Sequence, residues 1–310
     1  MRVHRLSKPA QRFSAWLLAS LFCAATVAYA ESYTFTTIIY PGAVYTDVMG
    51  INSSGEIVGY YGYPGIQYQG FVDNAGVFTT ITPPGAYYTL ARGINDAGVI
   101  VGPTQTMSGD YGFIYNAGTF TSNIPPGASG SSLNGINNLG QSVGSYVQGG
   151  TSFGYEYDAG AFTTIYQNDV NSINDLGQMV GGNNGTAFLY NNGTFTMLQF
   201  PGAPGTTAMG INNAGEIVGY LGTGSTYQET GFVYVDGVYT AFNVPGASAT
   251  VPEGINNLGQ IVGLYADEDQ GEIYGFVATP MGMESPTPEP GTFVLLGSGL
   301  LGLTGLIRRK

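Results

Sequence analysis

The chain has 310 residues, of which 43% are hydrophobic and 9% are charged, so it is long enough to bury a core and too apolar for a disordered protein. Its 50 glycines and 16 prolines interrupt long helices, while its 23 tyrosines and 16 phenylalanines favour strands. We therefore expect an all-β protein.

Basic residues are confined to the two ends of the chain, with the single exception of Arg92. Residues 31–290 contain that arginine and all twenty acidic residues, a formal charge of −19 that excludes a nucleic-acid partner. The one histidine and the one cysteine, His4 and Cys23, both precede this range. The body therefore lacks the side chains for Ser/His or Cys/His nucleophiles, a lysine Schiff base or a His/Cys zinc site, and we expect no cofactor.

Residues 1–30 have the three parts of a secretory signal peptide. Residues 1–12 are basic, residues 13–27 are apolar, and Ala28 and Ala30 place small side chains at the two positions that signal peptidase reads. We expect cleavage after Ala30.

The region between the two ends repeats a ten-residue pattern six times. The first copy, residues 50–59, reads Gly-Ile-Asn-Ser-Ser-Gly-Glu-Ile-Val-Gly, and successive copies begin 37 to 44 residues apart. Each copy is followed by Gly-Phe-Val-Tyr or a close variant and then by a Phe-Thr strand, except that the sixth stops at residues 275–277. A period of this length indicates a solenoid or a propeller.

Each repeat contains signals for four short strands. The Asn-x-x-Gly segment predicts a three-residue hairpin turn with glycine in the left-handed conformation, and segments such as Asn-Ala-Gly at 74–76 predict a second turn of the same kind. Longer connectors, one rich in tyrosine and one containing Pro-Gly-Ala, join the hairpins. Four antiparallel strands per repeat are typical of propeller blades.

Residues 33–38, Tyr-Thr-Phe-Thr-Thr-Ile, are an additional copy of the fourth strand, which the sixth repeat lacks. The N-terminal strand can therefore complete the last blade and cover both sheet edges. We predict a six-bladed β-propeller of four-stranded antiparallel blades over residues 31–280, closed by this strand, rather than an open solenoid. The repeats resemble the HAF-type extracellular repeat family over about residues 33–278, which implies a secreted protein and supplies no catalytic residues.

One asparagine recurs in every copy of the pattern, and the six copies are Asn52, Asn95, Asn137, Asn174, Asn212 and Asn256. The six side chains could be ligands around a central channel, or each could bond backbone groups at its own hairpin. The position beside a tight turn favours the second interpretation.

The C-terminal residues have three consecutive parts. Residues 281–291 form a linker rich in Pro, Ser and Thr that contains Pro288, Glu289 and Pro290, and residues 292–310 form a hydrophobic helix ending in Arg308, Arg309 and Lys310. The apolar run spans about 24 Å, less than the roughly 30 Å of a bilayer core, and its basic end marks the cytoplasmic side.

This tail resembles the PEP-CTERM sorting signal of Gram-negative bacteria that make exopolysaccharide. The resemblance implies a precursor inserted in the inner membrane, recognition by an exosortase, and release or attachment of the body outside the cell. A simple membrane anchor is the alternative.

Antiparallel topology places both tight turns of each blade on one face and both longer connectors on the other. The second face is the candidate binding face, and its candidate residues are Tyr60, Tyr61, Tyr63, Tyr68, Tyr88, Tyr111 and Tyr227. Tyrosine combines a flat apolar ring with a hydroxyl, which suits sugars and proteins. The acidic residues 267–272 on this face lack calcium-loop spacing, so a solvated loop is favoured over a calcium site.

Two functions fit these features. The first is a non-enzymatic surface or matrix protein that binds exopolysaccharide or an envelope protein, with exosortase and signal peptidase as partners during export. The alternative is a carboxylate-dependent glycosidase or polysaccharide lyase, although the lone Arg92 cannot form an arginine cluster for anionic sugars. Carboxylates about 5–10 Å apart that face one pocket on the connector face would favour the enzyme.

Overall fold

The computed structural model describes residues 33–65, 67–165, 169–183, 185–222, 229–267 and 272–281. In these ranges the chain forms strands and turns and contains no helix. The strands form six antiparallel sheets arranged as the blades of a propeller, so the predicted fold is confirmed.

The strands are numbered in chain order. Strand β1 spans Tyr33–Ile38. Blade one contains β2 Tyr45–Ile51, β3 Ile57–Gly62, β4 Gln69–Asn74 and β5 Val77–Ile81. Blade two contains β6 Ala86–Thr89, β7 Gly93–Ile94, β8 Ile100–Thr106, β9 Gly109–Asn116 and β10 Thr119–Asn123. Blade three contains β11 Gly130–Ile136, β12 Ser142–Gln148, β13 Thr151–Asp158 and β14 Ala161–Ile165. Blade four contains β15 Asp169–Ile173, β16 Met179–Asn183, β17 Thr186–Asn191 and β18 Thr194–Leu198. Blade five contains β19 Thr206–Ile211, β20 Ile217–Leu221, β21 Thr230–Val235 and β22 Val238–Phe242. Blade six contains β23 Ala247–Ile255, β24 Ile261–Asp267 and β25 Ile273–Pro280.

The first strand of each blade lies nearest the central axis, and in blade two this strand is divided into β6 and β7, which both pair with β8. Neighbouring strands in a blade are antiparallel, so the two predicted tight turns of each blade lie at one end of the channel and the other connectors at the opposite end. The prediction that both of those other connectors are longer was wrong in blades two and three, where two residues separate Thr106 from Gly109 and Gln148 from Thr151. We call these ends the turn side and the loop side.

The N-terminal strand closes the ring, as predicted. Strand β1 pairs antiparallel with β25, with Thr37 opposite Phe276, and completes the four strands of blade six. This pairing removes the edge that β25 would otherwise expose.

The first tight turn of each blade has the predicted three-residue form, with Gly55 at a φ of 86° in blade one. The prediction was wrong for the second turn, which contains two residues. Asn74 lies opposite Val77, and Ala75 and Gly76 both have positive φ, 51° and 88°. These are the angles of a type I′ turn, whose twist matches that of the two strands it joins.

The hydrophobic core lies between consecutive blades. One cluster joins Leu198 of blade four to Phe232 of blade five, and another joins Ile81 of blade one to Phe113 of blade two. The aromatic residue of the Gly-Phe-Val-Tyr block is buried in each blade, and these residues are Phe71, Phe113, Tyr155, Phe188, Phe232 and Phe276. Their burial against the neighbouring blade explains why the repeat retains an aromatic ring there.

Candidate functional site

A β-bulge in the innermost strands directs one residue per blade into the central channel. In blade one the register shifts between Val48 and Gly50, so Met49 is the extra residue. The bulge brings the Asp47 carbonyl oxygen to 1.9 Å from where a Cβ would stand on Gly59, which explains the glycine that ends the pattern. In each repeat the equivalent residue lies two positions before the Ile-Asn pair. Together these six residues form a ring, which we call the bulge ring: Met49, Arg92, Asn134, Asn171, Met209 and Glu253.

The turn side of the channel is narrowed by the six repeated asparagines. Each Oδ1 accepts hydrogen bonds from the backbone N–H groups two and four residues later, as Asn256 does from Leu258 and Gln260. The prediction that these side chains bond their own hairpins is confirmed. Each Nδ2 also donates to the backbone carbonyl of the corresponding asparagine in the next blade, at 3.0–3.3 Å. The cavity left at this end is about 100 Å³.

The loop side of the channel widens into a cavity of about 310 Å³ that also includes the bulge ring. Three carboxylates line it, those of Asp47, Glu229 and Glu253, together with the Arg92 guanidinium. Asp47 and Glu229 are 2% and 5% exposed. We call this space the channel-mouth cavity.

Burial dominates the electrostatics of the cavity. Desolvation raises the pKa of Asp47 to about 6, although the Tyr60 hydroxyl, the Arg92 guanidinium and the Tyr45 hydroxyl act in the opposite direction. Desolvation, reinforced by the charge of Asp47, raises the pKa of Glu253 well above its ordinary value. Burial also raises the pKa of Glu229. Such perturbed carboxyl groups in a cleft are typical of functional sites.

Three polar atoms of the cavity residues are buried and have no hydrogen-bond partner. They are Oδ1 of Asp47, Oε2 of Glu253 and Nε of Arg92. Buried polar groups are nearly always paired, so each of these atoms requires an explanation.

Tyrosines form the wall of the cavity on the side of blade one. The rings of Tyr45 and Tyr60 stack with centroids 5.6 Å apart, and their hydroxyls are 3.2 Å apart. Tyr68 contacts Tyr60 edge-on at 5.0 Å and also contacts Tyr88 at 6.1 Å. Tyr45 and Tyr68 both line a second cavity, about 430 Å³, at the surface of blade one.

The structure separates the candidate tyrosines of the binding face. Tyr60 lines the channel-mouth cavity, and Tyr63 and Tyr68 line the surface cavity. Tyr61 is 5% exposed and stacks on Tyr40 inside the blade, with ring centroids 3.6 Å apart.

The other three candidates do not line these cavities. Tyr88 contacts Tyr68 and interacts electrostatically with Arg92, but its side chain lines neither cavity. Tyr111 packs against the core between blades one and two. Tyr227 lies outside the described residues.

The predictions for the two ends of the chain, namely the cleavage residues Ala28 and Ala30, the motif at 288–290 and the basic residues at 308–310, also lie outside the described ranges. No helix in the described ranges is long and apolar enough to cross a membrane. Of the acidic segment, only its ends are described, where the Asp267 N–H donates to the Glu272 carbonyl. Among the described residues, no three His, Cys, Asp or Glu side chains are arranged to hold a metal ion.

Sequence reasoning missed the channel-mouth cavity. Its signal is the residue at the bulge of each repeat, which changes from Met to Arg, Asn, Asn, Met and Glu, while the next three residues are Gly-Ile-Asn in five repeats and Ser-Ile-Asn in the fourth. This position varies beside a fixed motif because its side chain faces the channel. The position of Asp47, two residues before the bulge residue, holds a second aspartate in blade four, Asp169, which does not line the cavity.

The C-terminal residues 286–310 match the model of the PEP-CTERM protein-sorting motif. The molecule is therefore an exported propeller protein whose tail directs exosortase-mediated processing and sorting to the cell surface or beyond. No curated protein is significantly similar to the chain.

Several solved structures are similar to the chain at low sequence identity. Virginiamycin B lyase from Staphylococcus aureus is 11% identical, with a TM-score of 0.48 over 79% of this chain and 99% of its own. A mutant of AofleA from Arthrobotrys oligospora is 10% identical, with a TM-score of 0.48 over 79% and 86%. Trypanosoma rangeli sialidase in complex with sialic acid is 9% identical, with a TM-score of 0.48 over 90% and 62%. These similarities concern the fold and carry no information about the ligand of this chain.

Proposed function

We propose that this chain is a non-enzymatic surface or matrix protein whose loop side binds exopolysaccharide or an envelope protein. The observation that carries the proposal is the channel-mouth cavity, where tyrosine rings and carboxylates meet on the loop side of an exported propeller. Tyrosine rings stack on sugar faces, and carboxylates accept hydrogen bonds from sugar hydroxyls. We also propose that the propeller belongs to the HAF-type repeat family.

The export route has two further proposed steps. Signal peptidase cleaves after Ala30, and the hydrophobic residues 292–310 hold the precursor in the inner membrane until the exosortase acts. The test is intact mass and cell fractionation of the native protein in a host with and without its exosortase. A C-terminus that is unprocessed in both hosts would disprove the sorting step.

Binding to host exopolysaccharide and to a glycan array tests the loop-side assignment. We expect Tyr68→Ala, which removes a ring 37% exposed at the surface cavity, and Tyr60→Ala to weaken binding about tenfold each. Leu139→Ala is the matched control, because Leu139 is 67% exposed in the first tight turn of blade three. An equal loss in the control would contradict the assignment, and capture of an envelope protein in place of any glycan would identify the second class of ligand.

A carboxylate-dependent glycosidase is the second candidate, favoured by Asp47, Glu229 and Glu253 lining one cavity on the loop side. Two carboxyl groups whose pKa values are raised by burial could divide the roles of acid and base. The test is release of reducing ends from the exopolysaccharide by the wild type, Asp47→Asn and Glu253→Gln. Cleavage by the wild type that either substitution abolishes would replace the non-enzymatic proposal.

A further inference from the structure

The polar groups of the bulge ring are unevenly distributed around the channel. Arg92 donates to Oδ1 of Asn134 at 2.7 Å, Asn134 donates to the Val170 carbonyl at 2.9 Å, and Asn171 donates to the Ala208 carbonyl at 2.8 Å. These bonds link blades two to five in one direction. Glu253 lies between Met209 and Met49, the bulge-ring residues of blades five and one. Their side chains have no N–H or O–H donor.

The cavity atoms that lack a hydrogen-bond partner indicate which donors and acceptors a complementary ligand carries. Oδ1 of Asp47 and Oε2 of Glu253 are acceptors without a donor, and Nε of Arg92 is a donor without an acceptor. Three carboxyl groups face one guanidinium, so the cavity is negatively charged when these groups ionise, and a bound cation would favour their ionised forms. A complementary ligand therefore carries a cationic donor group next to a hydroxyl or ether oxygen.

The walls and the volume of the cavity add two further constraints. The stacked rings of Tyr45 and Tyr60 offer aromatic surface, which attracts cations as well as sugar faces. A volume of about 310 Å³ lies at the small end of ligand pockets, and the cavity beyond the bulge ring is only about 100 Å³. The channel can hold the end of a chain or one branch, and it is too narrow for a polymer to thread through.

We propose that the channel-mouth cavity binds a sugar residue with a free primary amine, a deacetylated amino sugar, at a chain end or branch of the polysaccharide. The ammonium group lies against Asp47 and Glu253, a sugar oxygen accepts from Arg92, and the sugar ring packs on the tyrosines. This inference rests on the proposed function and names its ligand class.

The test compares binding of four probes to the exported chain by calorimetry. The probes are the glucosamine tetramer, the N-acetylglucosamine tetramer, the glucose tetramer and Nα-acetyl-lysine amide. We expect the glucosamine tetramer to bind at least about tenfold more tightly than the other three, because only it supplies both a cationic donor and ring oxygens. Equal binding of the N-acetylated tetramer would overturn the proposal, and equal binding of the lysine amide would assign the cavity to a protein amine instead.

Substitution of the cavity carboxylates tests whether the glucosamine tetramer binds in the channel-mouth cavity. Asp47→Asn and Glu253→Gln keep the shape of each side chain, and each should weaken glucosamine binding at least about tenfold. Asp110→Asn is the matched control, because Asp110 is an exposed carboxylate on the loop side that does not line the cavity. A loss of the same size in the control would mean attraction by net charge alone.

The two proposals fail in different ways. Binding of a neutral or acidic glycan that Asp47→Asn and Glu253→Gln leave unchanged would disprove the amino-sugar site and leave loop-side binding intact. Absence of any glycan binding together with no capture of an envelope protein would disprove the proposed function itself. Since the comparison of probes uses the wild-type chain, the proposal is testable even where a variant fails to fold.

Discussion

The side-chain amide of Asn256 donates to the backbone carbonyl oxygen of Asn52 at 3.0 Å and thereby joins the last blade to the first. Five equivalent bonds join the other neighbouring blades, so one asparagine per repeat forms a closed ring at the turn side. The same side chain holds its own hairpin through Oδ1. The repeated asparagine therefore fixes both the turn within a blade and the contact between blades.

Replacing this asparagine separates its two roles. We expect Asn256→Ala to lower the free energy of unfolding by about 2–3 kcal/mol, because it leaves two backbone N–H groups without partners and leaves the Asn52 carbonyl with the Gly55 N–H alone. Asn256→Asp keeps the acceptor but places a buried carboxylate against the Asn52 and Gln260 oxygens, so at pH 7 it should cost at least as much through loss of the contact between blades. Urea unfolding measures both. If Asn256→Ala costs no more than Leu258→Ala, at an exposed position of the same turn, the ring has no special role in stability.

Acidic pH should stabilise the fold through Asp47. Burial raises its folded pKa from 3.8 to about 6, so the neutral carboxyl contributes stability that is complete below about pH 4 and is lost as the pH rises through 6. We expect a loss of about 3 kcal/mol from this residue between pH 4 and pH 7, a loss that Asp47→Asn removes. Urea unfolding at several pH values measures the slope. Asp110→Asn, at an exposed position, should keep the wild-type slope, and an unchanged slope in Asp47→Asn would contradict the assignment.

The sequence predicts the number of blades and the closing strand because both depend on repetition. Six copies of a turn glycine reveal six hairpins, and residues 33–38 match the strand that the sixth repeat lacks. The length of the second turn was not predictable from Asn-Ala-Gly alone, since the strand twist decides between a two-residue and a three-residue loop. The left-handed Ala75 is the result of that choice.

The candidate site depends on residues that do not repeat. Asp47 and Glu253 come from blades one and six, which become neighbours only when the ring closes. The low exposure of Asp47 results from its place beside the bulge and from the tyrosines of blade one, which no sequence period reports. The sequence therefore predicts a candidate binding face, and the structure locates a cavity on it.

The alanines of the second turns have positive φ, and replacing one of them by glycine should stabilise the folded protein. Ala117 has a φ of 45°, a conformation that costs an L-residue about 1 kcal/mol and glycine much less. We expect Ala117→Gly to raise the free energy of unfolding by about 0.5 kcal/mol, after the greater entropy of glycine in the unfolded chain is counted. Ala214→Gly is the control, at an exposed turn position without positive φ, and it should destabilise by a similar amount. A loss of stability in both variants would show that the strain at Ala117 is negligible.

A buried hydrogen bond replaces an apolar contact between blades two and three. The Tyr155 hydroxyl donates to Oδ1 of Asn123 at 2.7 Å, where the other blade pairs place an apolar side chain such as Ile81 against a phenylalanine. We expect Tyr155→Phe to cost about 1–3 kcal/mol, because it leaves the Asn123 amide oxygen unpaired. The double variant Tyr155→Phe with Asn123→Leu recreates the apolar pair and should recover most of that loss. Additive losses in a double-mutant cycle would show that the two side chains are independent.

Strand β1, which closes the ring, is held in place by aromatic contacts as well as by backbone hydrogen bonds. The rings of Tyr33 and Phe35 lie 5.2 and 5.7 Å from the ring of Phe242, and Phe35 also contacts Phe276. We expect Phe35→Ala to lower the free energy of unfolding by about 2–3 kcal/mol, since the side chain is only half-buried. Thr34→Ala, on the exposed side of the same strand, should cost less than about 0.5 kcal/mol. Phe35→Ala should also form dimers at high concentration by size-exclusion chromatography, because a detached β1 leaves the edge of β25 open to another chain. A monomeric Phe35→Ala with wild-type stability would mean that blades one and six hold the ring without this strand.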